Sequence, residues 1–556
     1  MPDATAVLSP DANDLIHLAP EVILAVWGLL LLIVDFTALR QVESSRRGRV
    51  LGLLSLVGVL LALVGCFLPG WSARGLAAEP SLFLGTVSGG PLIVGLNAVV
   101  VVLLGLVVAL STSWTFTEHW AEYFALTLWA GVGMMLLIAA EELLTLFLTL
   151  ELMTICLYLL AAFEKDRHRS PEAGLKYFIY GSVSSALFLF GLSLLYGLTG
   201  TTRLAGIGQA LASRSGPSGL TGDLIGSSAV LLVLVGFGFK IAAVPFHQWA
   251  PDVYEGSPAP VSAWIATGSK VASVVALMKV LVQSLGPWAS RPDSLVSPGW
   301  VGLVAVIAAA TMTYGNFAAL AQKNLKRMLA YSSVAHAGYL LVGVLAVVVS
   351  IDAAGSAGSV LFYLLVYAAT NLGAFAVTAW LFRDGSSEQI DDLNGLGSRS
   401  PLLAVCVVIL MLSLIGLPPF AGFFGKLFMF MEALNAAPQH RLTFLWLVML
   451  GLLNSVISAF YYARVLRALF LRPASASATY RPASPAIAST IVLAAVVAVG
   501  FGVYARTLSK ETVKLGASRL FVVGGSRPVK SVLETRPSTV AKASSHGLAP
   551  GIGSRD

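Results

Sequence analysis

The chain is 556 residues long, 57% hydrophobic and only 11% charged, with a formal net charge of +7 at pH 7. Soluble domains carry about 25% charged residues, so this composition excludes an ordinary soluble protein. Apolar runs of about 20 residues, each able to cross a bilayer as a helix, recur along its length. The positive charge lies mainly in loops and in the tail, which indicates membrane topology and argues against nucleic-acid binding.

The hydropathy pattern predicts an all-α polytopic membrane protein with about fourteen transmembrane helices. Spans one to three lie in residues 1–120, spans four to eight in 121–285, spans nine to thirteen in 298–470, and the fourteenth at 485–506. Residues 507–556 are polar, basic and rich in Ser and Gly, so we expect a disordered tail. The predicted spans are 18–38, 51–69, 91–113, 121–140, 142–163, 172–199, 226–247, 259–285, 298–320, 326–350, 357–382, 401–433, 443–470 and 485–506.

Basic residues are distributed unequally between the loops on the two sides of these spans. One set of alternate loops contains fifteen Lys and Arg residues, and the opposite set contains five (Arg74, Arg203, Arg214, Arg291 and Arg441). Because basic residues are retained on the cytoplasmic side, the first set is predicted to be cytoplasmic and the N-terminus to lie outside. The basic tail departs from this pattern.

Two predicted spans are interrupted by proline. Pro245 follows Lys240 in the seventh span, and Pro418 and Pro419 precede Lys426 in the twelfth. Proline removes a backbone donor and breaks a helix, which lipid tolerates only where the freed groups face protein or water. Two broken spans five helices apart predict two inverted five-helix halves, spans four to eight and nine to thirteen, with discontinuous helices 7 and 12 at the ion site.

A carboxylate and a lysine lie deep in predicted spans. Glu151 has no other charge for eight residues before it and twelve after it. Lys240 lies about fourteen residues, or roughly 21 Å, into its span. If Glu151 approaches and withdraws, Lys240 can take up and release a proton, which arginine could not do. We therefore predict a proton-handling pair; a neutral Glu151 used in packing and a static ion pair are the alternatives.

Two further lysines are predicted near the middle of the membrane. Hydroxyl side chains surround Lys270 in the eighth span and can hold water. Lys426 is the only lysine of the twelfth span, and it would extend a polar row from Lys240 and Lys270 across the membrane plane. Lys279 lies near a span end, so we expect its side chain to extend to the surface.

Three other titratable residues are candidate proton relays. His247 follows the break in the seventh span, and His336 lies about ten residues into the tenth; an unperturbed histidine has a pKa of about 6.5, close to ambient pH. A contact at the helix end is the alternative role of His247. Lys176, one turn into the sixth span, is either a partner for a carboxylate or an interface anchor. Glu141 is expected to be solvated at a span end.

The sequence predicts no cofactor-binding residues and no metal site in this chain. Cys66, Cys156 and Cys406 are isolated within apolar runs, without the spacing of a disulfide or a metal site. Residues 236–238 begin like a dinucleotide fingerprint, but Ile241 stands where its third glycine would be needed.

The chain resembles the antiporter-like membrane subunits of proton-translocating NADH–quinone oxidoreductase (respiratory complex I) in three segments: PFHQWAPDVYEGSPAPV, KNLKRMLAYSSVAHAGY and GLPPFAGFFGK. The resemblance covers residues 15–505, and the family shares ancestry with multisubunit sodium/proton antiporters. Two further segments are similar to its N-type members (subunit 2 in mitochondria): LAPEVILAVWGLLLLIVDF and GLKYFIYGSVSSALFLFGLSLLYGLTGTT.

The resemblance implies roles for individual residues. Glu151 and Lys240 would be the coupled pair, Lys270 the connecting lysine and Lys426 the terminal lysine of a proton path. M-type relatives usually have glutamate at the position of Lys426. His336 would belong to a polar axis near the bilayer centre.

The resemblance also implies a place in a larger complex. The chain would be one subunit of a proton translocase in the bacterial inner membrane, driven by quinone reduction elsewhere. NADH, FMN, iron–sulfur clusters and quinone would be held by partner subunits, and the partners would be peripheral and membrane subunits, including neighbouring antiporter-like subunits, and membrane lipid. Three alternatives remain: a subunit of a stand-alone sodium/proton antiporter, a structural subunit whose buried charges only pair, and a subunit of a ferredoxin- or hydrogenase-linked complex.

Overall fold

The computed structural model describes residues 12–68, 81–113, 116–214, 224–289, 299–350, 352–381, 388–435, 440–473, 482–518 and 521. This part of the chain consists of helices, short 3₁₀ turns and one antiparallel hairpin of β1 (Ser81–Leu82) and β2 (Val87–Ser88). The helices are α1 (Ala12–His17), α2 (Ala19–Leu39), α3 (Ser44–Phe67), α4 (Pro91–Ser111), α5 (Trp120–Ala139), α6 (Leu143–Ala161), α7 (Arg169–Thr199), α8 (Leu204–Ser213), α9 (Leu224–Lys240), α10 (Trp249–Gly256), α11 (Ala259–Ser284), α12 (Trp300–Ala321), α13 (Leu325–Val349), α14 (Ala353–Leu381), α15 (Leu396–Arg399), α16 (Pro401–Ile415), α17 (Ala421–Leu434), α18 (Arg441–Leu471), α19 (Pro485–Val503) and α20 (Ala505–Gly516).

Twelve helices within the described ranges are long and apolar enough to cross a membrane. They coincide with twelve of the fourteen predicted spans. The other two predictions are the seventh and twelfth spans, which were expected to be broken. There α9 ends at Lys240, and residues 416–420 separate α16 from α17. The prediction of an all-α polytopic membrane protein is confirmed, and the division into two inverted halves stays a prediction.

Local sequence explains where several helices begin and end. Asn324 precedes α13 and its side chain accepts a hydrogen bond from the backbone N–H of Arg327, which satisfies one of the free donors of the first turn. Pro401 opens α16, where its missing N–H is not needed. Gly416 ends α16 with φ of 90°, a left-handed conformation that glycine adopts without the steric cost of a Cβ. The second break is therefore set by Gly416 together with the two prolines that follow it.

The innermost helices are α11, α13 and α14. In the most apolar stretch of each, 100%, 89% and 89% of the residues are buried, against 22% for α2 and 33% for α18. Glycines allow α12 and α13 to approach closely, because a Cβ on Gly315 would lie 2.5 Å from the nitrogen of Ala335, and one on Gly338 would lie 2.5 Å from that of Met312. The three central helices carry two of the predicted site residues, Lys270 and His336.

The prediction of a disordered tail is wrong for its first part. Residues up to Gly516 form α20, which packs against α14. The contact is possible because small residues meet there: a Cβ on Gly358 would lie 2.6 Å from the Cα of Val513. The charged residues of α20 lie on the opposite, exposed face, so docking on a neighbour stabilises a helix too polar to be recognised as a span. Residues 519–520 and 522–556 of the predicted tail lie outside the described residues.

Candidate functional site

Three lysines predicted at mid-membrane are buried inside the helix bundle. Lys240, Lys270 and Lys426 expose only 6%, 2% and 6% of their surface. A buried ammonium group costs several kcal/mol unless acceptors replace its lost water. Each of the three donates hydrogen bonds to oxygen atoms, and these acceptors define the site.

Lys240 and Glu151 are held near each other by hydroxyl groups. Lys240 is the last residue of α9, and its Nζ donates to Oγ1 of Thr154 on α6. Glu151 lies one turn before Thr154 on the same helix, is half-buried, and accepts a hydrogen bond from Oγ of Ser185 on α7. Glu151 is close enough to act on Lys240 electrostatically, although the two form no ion pair in the described structure. The arrangement is thus a separated pair whose members have independent hydroxyl partners.

Lys270 is bound to α13 through a single serine. Its Nζ lies 2.6 Å from Oγ and 2.7 Å from the carbonyl oxygen of Ser333. The Ser333 hydroxyl is in turn 2.8 Å from the hydroxyl of Tyr367 on α14. A π-helical turn at Ile265–Ser269 directly precedes Lys270, and such turns occur frequently at functional sites. Lys270 is therefore connected by hydrogen bonds, through the Ser333 hydroxyl, to the hydroxyl of Tyr367.

His336 lies among tyrosines of α13 and α14. Its Nδ1 is hydrogen-bonded to the hydroxyl of Tyr363, one turn from Tyr367 on α14. The imidazole centroid is 5.2 Å from the Tyr367 ring and 5.7 Å from the Tyr339 ring. The Tyr339 ring also lies 4.9 Å from Nζ of Lys426. His336 is consequently placed between the surroundings of the two lysines.

Lys426 is held by the broken twelfth span. Its Nζ lies 3.1 Å from the carbonyl oxygen of Leu414, 2.8 Å from that of Ile415 and 2.8 Å from Oγ of Ser455 on α18. The last carbonyls of α16 lack partners within the helix and lie at its negative dipole end, where a cation is stabilised. The helix break thus supplies the acceptors that make this lysine position tolerable.

From Lys270 to Lys426 these contacts form a row of ammonium, hydroxyl, phenol and imidazole groups in the protein interior. Lys240 and Glu151 form a second cluster, which the described contacts do not join to that row. Such groups can donate and accept protons in turn, so the row can transfer protons where water bridges the gaps between them. Five hydroxyl-bearing residues of this site were not predicted from the sequence. Their only signal was polar residues on buried helix faces and the four-residue spacing of two tyrosines. They are Thr154, Ser185, Tyr363, Tyr367 and Ser455.

Two predicted relay residues lie outside this row. His247 is buried against Tyr314 of α12, with ring centroids 4.5 Å apart, and its described contacts do not reach a lysine. Lys176 pairs with Glu172 at 2.8 Å and with Asp252 at 2.7 Å, so of its two alternatives the structure shows the carboxylate partner.

Lys176 is part of an ion-pair cluster at the helix ends. Asp252 also accepts from Arg327 at 2.6 Å. Burial raises the pKa of Asp252, but hydrogen bonds from Lys176 and Arg327 outweigh it and hold the pKa below its ordinary value. Nearby, Glu388 pairs with Arg167 at 2.7 Å and joins a loop of the predicted first half to one of the second.

Lys279 does not extend to the surface, so that prediction is wrong. It exposes only 1% of its surface and forms an ion pair of 2.8 Å with Glu141. Its Nζ also donates to the carbonyl oxygens of Ile138 and Ala140 at the end of α5. These acceptors replace water, which is why the lysine remains buried.

Among the described residues, no three His, Cys, Asp or Glu side chains are grouped to hold a metal ion.

A family model, a curated relative and a solved structure all relate this chain to membrane subunits of NADH–quinone oxidoreductase. Residues 140–458 match the family described as NADH:quinone oxidoreductase/Mrp antiporter, transmembrane. The chain is 40% identical over 479 residues to NADH-quinone oxidoreductase subunit N of Trichlorobacter lovleyi, covering 86% of this chain and 91% of the relative. A chain of respiratory complex I from Thermus thermophilus with bound aureothin is 32% identical, with a TM-score of 0.70 and coverage of 88% and 98%. A chain of the Mrp complex from Dietzia sp. shares the fold alone, at 19% identity, a TM-score of 0.72 and coverage of 91% and 97%.

Proposed function

We propose, because the chain belongs to the subunit N family of NADH-quinone oxidoreductases, that it translocates protons as one membrane subunit of such an enzyme complex. The observations that carry the proposal are the buried Lys240 near Glu151 and the buried row from Lys270 through His336 to Lys426. A purely structural helix bundle would gain nothing from three buried lysines, since apolar residues of similar size are equally or more stabilising.

The Glu151–Lys240 pair would be the switch of the row. When Glu151 is ionised and near, it favours the protonated form of Lys240; when it withdraws or is neutralised, burial favours release of the proton. The separate hydroxyl partners of the two residues support this role, because each residue keeps a hydrogen bond when the two move apart. A static ion pair would instead require direct contact.

From Lys270 the proton would pass along hydroxyl and imidazole groups. The Lys270 ammonium gives a proton to Ser333 Oγ, and the Ser333 hydroxyl proton moves to Tyr367. His336 accepts and passes on a proton within the tyrosine group, and Lys426 receives it beside Tyr339. Water would close the gaps between groups that have no direct hydrogen bond.

In this proposal the redox chemistry belongs to partner subunits. NADH, flavin, iron–sulfur clusters and quinone would be bound there, and this chain would contribute only the proton path.

The excess of basic residues in alternate loops supports a bacterial inner-membrane protein whose N-terminus lies outside. A single cysteine replacing the exposed Lys323 should then react with a membrane-impermeant reagent only in inside-out vesicles. Reaction in right-side-out vesicles would reverse the orientation.

The sodium/proton antiporter is the second candidate, because the fold is shared with a chain of an Mrp complex. Purification separates the two: the proposed subunit should co-purify with peripheral redox subunits and pump protons during NADH oxidation. A ferredoxin- or hydrogenase-linked assembly would co-purify with other electron-input subunits.

The Lys240→Met variant tests the proposed path. In the complex reconstituted into proteoliposomes, we expect proton pumping per electron to fall while assembly is retained. Lys323→Met is the matched control, since Lys323 is exposed and outside the row, and it should pump normally. Unchanged pumping by an assembled Lys240→Met complex would refute the path.

A further inference from the structure

A small cavity lies apart from the lysine row, where the short helix α1 and the first four long helices, α2 to α5, meet the β-hairpin. It is lined by His17 of α1, Glu21 of α2, Cys66 of α3, Ser88 of β2 and Asn97 of α4. Its free space suits about one water molecule, and polar groups on several sides could bind that water.

Glu21 and Asn97 present hydrogen-bond acceptors to this cavity. Each exposes only 3% of its surface. Asn97 Nδ2 donates to Glu21 Oε1 at 2.8 Å, while the buried Glu21 Oε2 and Asn97 Oδ1 have no hydrogen-bond partner in the described part of the chain. Two buried acceptors side by side require a donor, because an uncompensated polar atom costs about 1–3 kcal/mol and an ionised carboxylate costs more.

A path of polar groups leads from the cavity to a solvent-accessible ion pair. Ser88 lines the cavity, and its Oγ donates to Glu141 Oε1 at 3.1 Å. Glu141 pairs with Lys279 at 2.8 Å, and its side chain remains 18% exposed. The cavity therefore communicates with solvent through one hydroxyl and one carboxylate.

We propose that Glu21 is a second proton-binding site of this subunit, which holds a proton on Oε2 and exchanges it with the Glu141–Lys279 pair through one bound water and Ser88. The protonated carboxyl group supplies the missing donor, and the water satisfies Asn97 Oδ1. The carboxyl group is then neutral, so its burial needs no counter-charge.

Proton release follows a balanced sequence. Glu21 Oε2 gives its proton to the water, and the water gives one of its own protons to Ser88 Oγ. Ser88 then passes its hydroxyl proton to Glu141 Oε1, beside the charge of Lys279. Rotation of the Ser88 hydroxyl and re-protonation of Glu21 from the same path restore the starting state. The use of this site during pumping rests on the proposed function, whereas its protonation does not.

Infrared spectroscopy of the whole complex tests the protonation state. The difference between wild type and Glu21→Gln should contain the C=O band of a protonated carboxyl group, shifted in D₂O. Glu122→Gln is the matched control, because Glu122 is an exposed carboxylate beside His119 and its removal should not affect this band. Absence of the band from the Glu21→Gln difference would overturn the proposal.

Two more variants test the surroundings. Ser88→Ala should keep the band but slow its hydrogen–deuterium exchange about tenfold, which corresponds to about 1.4 kcal/mol in the barrier. Asn97→Leu removes the hydrogen bond to Oε1 and should shift the band to higher frequency, which keeps the test valid if Glu21→Gln fails to assemble. An unchanged exchange rate or an unshifted band would each count against the site. These spectra need no turnover, so failure of Lys240→Met to impair pumping would leave them unaffected.

Discussion

Glu388 provides a measurable link between the two predicted halves. It exposes 4% of its surface and accepts hydrogen bonds from Arg167 at 2.7 Å and Asn324 at 3.2 Å, and it pairs with Lys326 at 3.1 Å. Lys326 is equally buried, so Glu388→Ala leaves its ammonium group without this carboxylate and with the carbonyl oxygen of Ser257, at 3.0 Å, as its remaining described acceptor. Breaking a buried pair in this way costs about 3–5 kcal/mol, most of it from the stranded lysine because Arg167 is partly solvated.

The buried thiol of Cys406 on α16 can report this loss. Its labelling by a maleimide in the purified complex requires local opening, so the labelling rate should rise roughly 150-fold to 5,000-fold in Glu388→Ala. Adding Lys326→Met should restore most of the protection, since an apolar replacement of both partners is nearly neutral. Glu172→Ala, which removes an exposed pair, is the control. A labelling rate within twofold of wild type in Glu388→Ala would refute the reasoning.

Acid should weaken the same link. Burial raises the pKa of Glu388, but Lys326 and Arg167 outweigh it and lower the pKa below its ordinary value. The pair therefore contributes its full stability above the unfolded pKa of about 4.3, and the contribution is lost as pH falls through the lower folded pKa. Tryptophan fluorescence during thermal unfolding should show this loss in wild type. Glu388→Gln should lack that component; an identical acid response would contradict the assignment.

Two further predictions concern the helix breaks. Thr154→Val removes the hydroxyl partner of Lys240, worth about 1.5–3 kcal/mol, so proton pumping should fall roughly tenfold to hundredfold. Thr154→Ser keeps the hydroxyl group and should pump normally; equal pumping by the valine variant would show that the hydroxyl is dispensable. Gly416→Ala forces a Cβ into a left-handed conformation 3.1 Å from Cδ of Lys426, so it should destabilise the protein by about 1–2 kcal/mol in thermal unfolding. Gly500→Ala, with open space around its Cβ and a helical backbone, should not destabilise, and a similar loss in both variants would exclude the local explanation.

Hydropathy was sufficient to predict the long spans, and the prolines at 245, 418 and 419 were sufficient to predict the two breaks, because bilayer thickness and backbone hydrogen bonding leave few alternatives. Hydropathy alone has no such power over short polar helices. It failed for α20, whose polar sequence becomes helical only by docking on α14. It also misplaced Lys279, since acceptors from the end of a distant helix cannot be read from the residues beside it.

The sequence by itself determined which charges lie deep within membrane-spanning helices: Glu151, Lys240, Lys270 and Lys426. Only the tertiary structure decided what binds each of them. Hydrogen bonds reach a few ångströms, and their partners come from helices far apart in sequence, as when Ser333 meets Lys270. The tertiary structure alone also brought Glu21, Asn97 and Ser88 around one cavity, because each lies on a different element and none is unusual in its own segment.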